Sequence, residues 1–192
     1  MRKRSHRVAL CIVGAAAFTL AGCREEQVDA QAFPDLDSCR AAAQTGGTDF
    51  STADCDAAFA EAQQIHLESA PRYDSLEVCE EQHGEGACGS EQQVSGGGGM
   101  GSIFMPLLAG YLIGNMLGRG MPAAQPLYRG SDGRFTNATG TTAYSGNTGR
   151  TQLSPSQFNR PPTTIGKPPM TKTTVTSRGG FGNSATGRSV GT

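Results

Sequence analysis

Tryptophan is absent from the 192 residues, and aromatic side chains make up only 6% of them. A chain this poor in large apolar groups has little material for one extensive core. No C-x-x-C pair occurs among its six cysteines. Zinc ribbons and thioredoxin-like centres usually show that spacing, so its lack argues against both. The glycine run at 96–99 lacks the Gly-Lys-Ser/Thr ending that a phosphate loop needs. No apolar run reaches the ~20 residues of a spanning helix. Histidine is scarce too. Beyond the N-terminal segment only His66 and His83 occur, and both fall on expected exposed helix ends. Carboxylates are missing from the whole stretch after Asp132.

That last absence belongs to a split in charge. Residues 24–91 carry 16 acidic and 3 basic side chains, a formal −13, whereas residues 92–192 carry one acid and 9 bases, a formal +8. The near-neutral total hides two halves that should attract each other, or attract different partners.

The N-terminus has a clear layout. Arg2, Lys3, Arg4 and Arg7 precede an uncharged run of 15 residues, Val8 to Gly22. A cationic start, an apolar stretch and small residues make a secretory signal. Leu20-Ala21-Gly22-Cys23 ends it as a bacterial lipobox, with Cys23 as the lipid attachment site and first mature residue. Residues 1–22 are then the signal peptide, and Cys11 leaves with it. Arg24 at the next position, in place of the Asp that favours inner-membrane retention, points to the outer membrane facing the periplasm. Acyl chains such as palmitate provide the anchor, and more than one chain makes it stable.

After a tether at 23–32, residues 33–91 form an expected acidic, α-helical cysteine domain. Ser51–Ala70 reads as a helix: Ser51 and Asp54 resemble a capping box, Cys55, Ala58, Phe59, Ala62 and Ile65 repeat at helical spacing, and Pro71 stops it. A second helix is expected over Ser75–His83, with Asp74 as N-cap and Gly84 ending it, and a short one over Asp37–Gln44. Phe33, Leu36, Asp37 and Cys39 recur as Tyr73, Leu76, Glu77 and Cys79, 40 residues later, as a weak repeat.

Cys39, Cys55, Cys79 and Cys88 are an even set, which in an oxidising compartment reads as disulfides. Three connectivities exist, and Cys39–Cys55 with Cys79–Cys88 keeps each loop short. The rival reading is a thiol-redox or metal site, with Cys79, His83 and Cys88 among the ligands.

A glycine-rich linker at 92–102 leads to residues 103–121. Their apolar part, Ile103 to Leu117, is 15 residues long, and Gly110, Gly114 and Gly118 fall four apart. On a helix these glycines would share one face and let two backbones approach, a Gly-zipper. Three uses stand open: a helix buried on its own domain, a membrane-contacting segment, or a helix for self-association or an envelope protein. Residues 122–192 are rich in Gly, Ser, Thr, Asn and Pro, and read as a largely disordered basic tail. It could serve as a cationic arm for an anionic envelope polymer or an acidic protein. One hairpin is expected near 127–136, turning at Asp132-Gly133, and "TKTTVTS" (171–177) has strand propensity. "RGGFG" at 178–182 is no sign of nucleic-acid binding in an exported chain.

"FMPLLAGYLIGNMLG", "QPLYRGSDGRFTNATG", "TTVTSRGGFG" and "GEGAC", with the lipobox, resemble the YgiB-like family of uncharacterised bacterial envelope lipoproteins. The resemblance covers nearly the whole chain. It implies an envelope location and this four-part layout, and adds no catalytic residue, cofactor or metal. The expected fold is thus a small mostly-α disulfide-stapled domain, then a Gly-zipper apolar helix, then a disordered tail. The expected role is non-catalytic.

Overall fold

A computed structural model describes residues 27–96, 102–115 and 123–177. It is not mostly α. Its centre is a six-stranded antiparallel sheet built from segments that the sequence reading left as tether, helix and disordered tail. Strand β1 (Val28–Phe33) lies within the expected tether. It pairs on one side with β4 (Gly110–Gly114), with Ala30 opposite Gly114 and Phe33 opposite Tyr111. On the other side it pairs with β8 (Gly149–Leu153), with Val28 opposite Leu153. Strands β5 (Ala123–Arg129), β6 (Phe135–Thr136) and β7 (Ala143–Tyr144) continue outward from β4, giving the order β7-β6-β5-β4-β1-β8. Strands β2 (Cys88–Ser90) and β3 (Phe104–Pro106) form a separate two-stranded ladder.

The helices sit where capping chemistry places them. Helix α1 (Leu36–Thr45) starts at Asp35, whose carboxylate accepts from the Ser38 N–H at 2.7 Å. Helix α2 (Thr52–Ser69) starts at a complete Ser51/Asp54 capping box, and Pro71 follows its end. Helix α3 (Leu76–His83) is capped by Ser75, one residue after the expected Asp74. A short α4 (Glu91–Ser95) has its own box from Ser90 and Gln93. The segment "TKTTVTS" holds a helix, α5 (Lys172–Ser177), not a strand. Thr171 turns it that way, accepting from the Thr174 N–H in a helix-start bond.

The two faces of the sheet bury different clusters, as strand alternation requires. Phe33, Tyr111, Ile113 and Ala124 face α1 and α2, against Cys39, Cys55, Ala58 and Ala62. Val28, Ala30, Ala32, Leu112 and Leu127 face the other way, onto Phe158 of a 3-10 turn (Pro155–Phe158).

The Gly-zipper helix is therefore a strand. A spacing of four fits one face of a helix, but it is also two strand periods. Gly110 and Gly114 share a sheet face with Leu112, at the two ends of β4. A Cβ on Gly114 would lie 2.4 Å from the Phe158 ring, and one on Gly110 would lie 2.8 Å from the Phe33 carbonyl. The glycines thus admit this chain's own ring and backbone, not a second helix. Tyr111, Leu112 and Ile113 are at most 1% exposed. At roughly 1.5–3 kcal/mol for each large side chain removed from water, these three contribute several kcal/mol to this chain's own core. No helix among the described residues is long and apolar enough to cross a membrane.

Nor is the basic half a disordered tail. It supplies four strands, the 3-10 turn and α5. Leu127-Tyr128-Arg129 and Arg134-Phe135-Thr136 meet across Asp132-Gly133, with Tyr128 opposite Thr136. Three of its cations reach back to the acidic half, one to the α1–α2 loop and one each to α2 and α3. Arg150 meets Asp49 at 3.2 Å, Arg160 meets Glu68 at 2.7 Å and Lys172 meets Glu81 at 2.7 Å. The charge split is partly neutralised inside the molecule.

Candidate binding cleft

The four cysteines of the folded part are closed. Cys39 is bonded to Cys55 and Cys79 to Cys88, with Cα separations of 5.8 and 6.2 Å. The first bond ties α1 to α2 and the second ties α3 to β2. Cys39, Cys55 and Cys79 are fully buried. His83 is not poised beside the sulfurs as a ligand. Its Nδ1–H donates to the Arg129 carbonyl at 2.7 Å, and its Nε2 accepts from the Tyr73 hydroxyl at 2.9 Å. No group of three or more His, Cys, Asp or Glu that could hold a metal occurs among the described residues. Cys23 and Gly118 lie outside the described residues, as do the signal at 1–22 and "RGGFG".

The histidines correct a second expectation, since neither is exposed. His66 and His83 are 5% and 0% exposed, and both pack on Tyr128 of β5, at ring separations of 5.6 and 6.2 Å. His66 Nδ1 shares a hydrogen bond with the Tyr128 hydroxyl at 3.0 Å. Burial pushes both histidines down to about 4, and the Arg72 charge adds to the effect at His66. Burial also raises the Tyr73 and Tyr128 hydroxyls far above the ordinary tyrosine range. The four rings thus stay neutral and pin α2 and α3 to the sheet. The spacing held a clue: His66 continues the buried stripe of Cys55, Ala58, Ala62 and Ser69 along α2.

A cavity opens elsewhere, between the end of α2, the β6–β7 turn and the 162–170 loop. It holds about 690 Å³. A neighbouring cavity of about 220 Å³ shares Ala138, Thr139, Thr141 and Pro162 with it, so the two make one groove. Arg72 forms part of the floor and is 6% exposed. It is held by Glu91 at 3.0 Å, by the Leu67 carbonyl at 2.8 Å and by the Thr164 hydroxyl. Asn137 organises the turn: its Oδ1 accepts from the Thr141 N–H at 3.0 Å, and the Thr139 and Thr141 hydroxyls lie 2.8 Å apart. Among the described residues no His, Cys, Asp or Glu lines either cavity. The groove can form hydrogen bonds through its threonine, asparagine and glutamine side chains and can attract anions through Lys167 and its arginines.

The sequence does not mark these residues as a site, although Asn137 to Gly140 fall within the motif "QPLYRGSDGRFTNATG". They lie at the end of α2 and in the basic stretch expected to be largely disordered. What brings residues 69–72 against 138–141 and 162–170 is pairing across the whole chain.

The family described as protein of unknown function (DUF1190) matches residues 27–191. A UPF0441 protein of Klebsiella pneumoniae subsp. pneumoniae is 33% identical over 202 residues, covering 96% of this chain and 84% of that protein. A UPF0441 protein of Yersinia pestis is 32% identical over 201 residues, covering 94% of this chain and 82% of its own length. One from Erwinia tasmaniensis is 32% identical over 193 residues, covering 93% and 81%. These relatives agree with the YgiB-like resemblance, and their names indicate no enzyme family. No solved structure matches the chain.

Proposed function

The chain belongs to the family described as protein of unknown function (DUF1190), and we propose that this member is a non-catalytic lipoprotein of the bacterial cell envelope that works by binding. Cys23 carries the lipid, and Arg24 directs the chain to the outer membrane, facing the periplasm. One observation supports this most. All four cysteines of the folded part are engaged in disulfides, a state that persists in oxidising compartments and is rare in reducing ones. The lipobox supplies the anchor, and a groove lined by amides, hydroxyls and cationic side chains supports binding. Because β1 begins at Val28, only a short link separates it from Cys23. Even fully extended, five residue steps span at most ~18 Å. The folded part is therefore held close to the bilayer surface rather than on a long leash.

Intact mass of the protein extracted from membranes, alkylated without reductant, tests this. The expected species begins at an acylated Cys23 and carries no alkyl label on Cys39, Cys55, Cys79 or Cys88. Labelled thiols at these positions would instead support the thiol-redox or metal-binding role. An unacylated chain that keeps residues 1–22 would remove the anchor.

A further inference from the structure

We propose that the groove between α2, the β6–β7 turn and the 162–170 loop binds an anionic saccharide, a sugar chain carrying carboxylate or phosphate. This rests on the binding role above and names its ligand class. Four features of the groove point there together.

The first is charge. Among the described residues no carboxylate lines either cavity, although the helical layer beside them is rich in Asp and Glu. The charged groups that do line them are Arg72, Arg160 and Lys167. Glu91 and Glu68 neutralise the two arginines. Lys167 meets no carboxylate among the described residues, so one positive charge is left over at the mouth. The second is the neutral lining. Asn137, Gln157, Thr139 and Thr141 carry amides and hydroxyls, which both donate and accept. Sugar hydroxyls need partners of that kind. Third, Pro71, Pro162, Pro168 and Met170 offer flat C–H surface, against which the apolar face of a sugar ring can lie. Fourth, the size is right. About 690 Å³ falls within the usual range for small-molecule sites, and the adjoining 220 Å³ extends it beyond a single ring.

A peptide ligand fits less well. Extended peptides are usually held by the backbone of an open strand edge. Here the walls are turns and loops, and neither edge strand, β7 or β8, lines the groove.

The experiment is binding to the full chain, purified in detergent, measured by calorimetry in low salt. The probes are tetragalacturonate, glucose 1-phosphate, neutral chitotetraose and a tetraglutamate peptide. The expected result is binding of the anionic sugars, with chitotetraose clearly weaker. Lys167→Gln should weaken the anionic sugars about tenfold, the scale of one lost charge-assisted hydrogen bond, and Lys167→Arg should largely keep them. Lys167 is exposed and makes no side-chain hydrogen bond or ion pair among the described residues, so both variants should melt as the parent does. Galacturonate against glucose phosphate separates the carboxylate source from the phosphate source. Equal binding of chitotetraose would show that charge is not read, and the proposal fails. Preference for tetraglutamate would assign the groove to peptides. Binding of no probe, or binding indifferent to Lys167→Gln, would also overturn it. None of these outcomes depends on acylation, so the anchor and the ligand stand or fall separately.

Discussion

Residues 36–83 and residues 104–153 supply the two layers of one core, yet they are ordered in different ways. The helices carry their instructions locally. Asp35, Ser51 and Ser75 cap them, Gly46 and Gly84 end them, and disulfides across 16 and 9 residues lock them. The strands carry almost none. β1 is held by β4 and β8, about 80 and 120 residues downstream, and no disulfide reaches β4 through β8. The comparison teaches that an absence of local signals is not an absence of structure. A glycine- and threonine-rich stretch can fold when it completes a sheet whose other strands bury the apolar groups it lacks.

The largest effect should come where the two layers meet. His66 and His83 have folded values of about 4 against an ordinary 6.5, so the neutral form is the one the fold favours. Their contribution is complete above about pH 6.5 and is lost as pH falls toward 4. A shift of this size corresponds to roughly 3 kcal/mol for each histidine. Urea titrations at pH 7, 5.5 and 4.5 should show a steep loss, flattened in a His66→Gln/His83→Gln variant. If the variant keeps the parent's slope, the histidines are not the joint.

Next come the staples. Replacing Cys39 and Cys55 together by Ala should cost about 2–4 kcal/mol, read from the denaturation midpoint. The helical layer should loosen first, so hydrogen exchange should rise in α1 and α2 before it rises in β4. Uniform loosening would mean that the two layers are not separable units.

A smaller loss is expected in the strand half. Gly114→Ala pushes a methyl group into the Phe158 ring, 2.4 Å from the nearest atom. Overpacking of this kind costs roughly 1–3 kcal/mol. A Gly114→Ala/Phe158→Leu double variant should regain part of it. If β4 were instead an interfacial helix, Gly114→Ala would leave stability unchanged or raise it, and that result would falsify the strand assignment.

The smallest effect concerns the clasp between the halves. Arg150–Asp49, Arg160–Glu68 and Lys172–Glu81 are solvent-facing pairs, and such pairs contribute little singly. Arg160→Gln or Lys172→Gln should leave the melting temperature within error at physiological salt. At low salt the triple Gln variant of the three cations should melt slightly lower than the parent, a gap that closes as salt is added.

How the chain divides between what could be read directly and what could not follows the range of the forces. The three helices over 36–83 and the Ser51 capping box were legible in the residues, although the third starts at Ser75 rather than Asp74, because a capping box spans three positions and a helical stripe repeats within one segment. The short-loop cysteine pairing was legible for the same reason. His66 was misread, although it lies on the buried stripe, because polarity was weighed above spacing. Apart from the β5–β6 hairpin turning at Asp132-Gly133, the strands were not legible. Gly110 and Gly114, four apart, fit both a helix face and a strand face, and only Phe158, 44 residues beyond Gly114, decides between them. The groove is one step further removed, since its walls come from residues 69–72, 138–141 and 162–170. Sequence alone determined the local helices of 36–83, the cysteine count and the charge split. Tertiary structure alone decided the sheet, the burial of the histidines and the groove, because hydrogen bonding between distant strands selects one partner among many with equal local propensity.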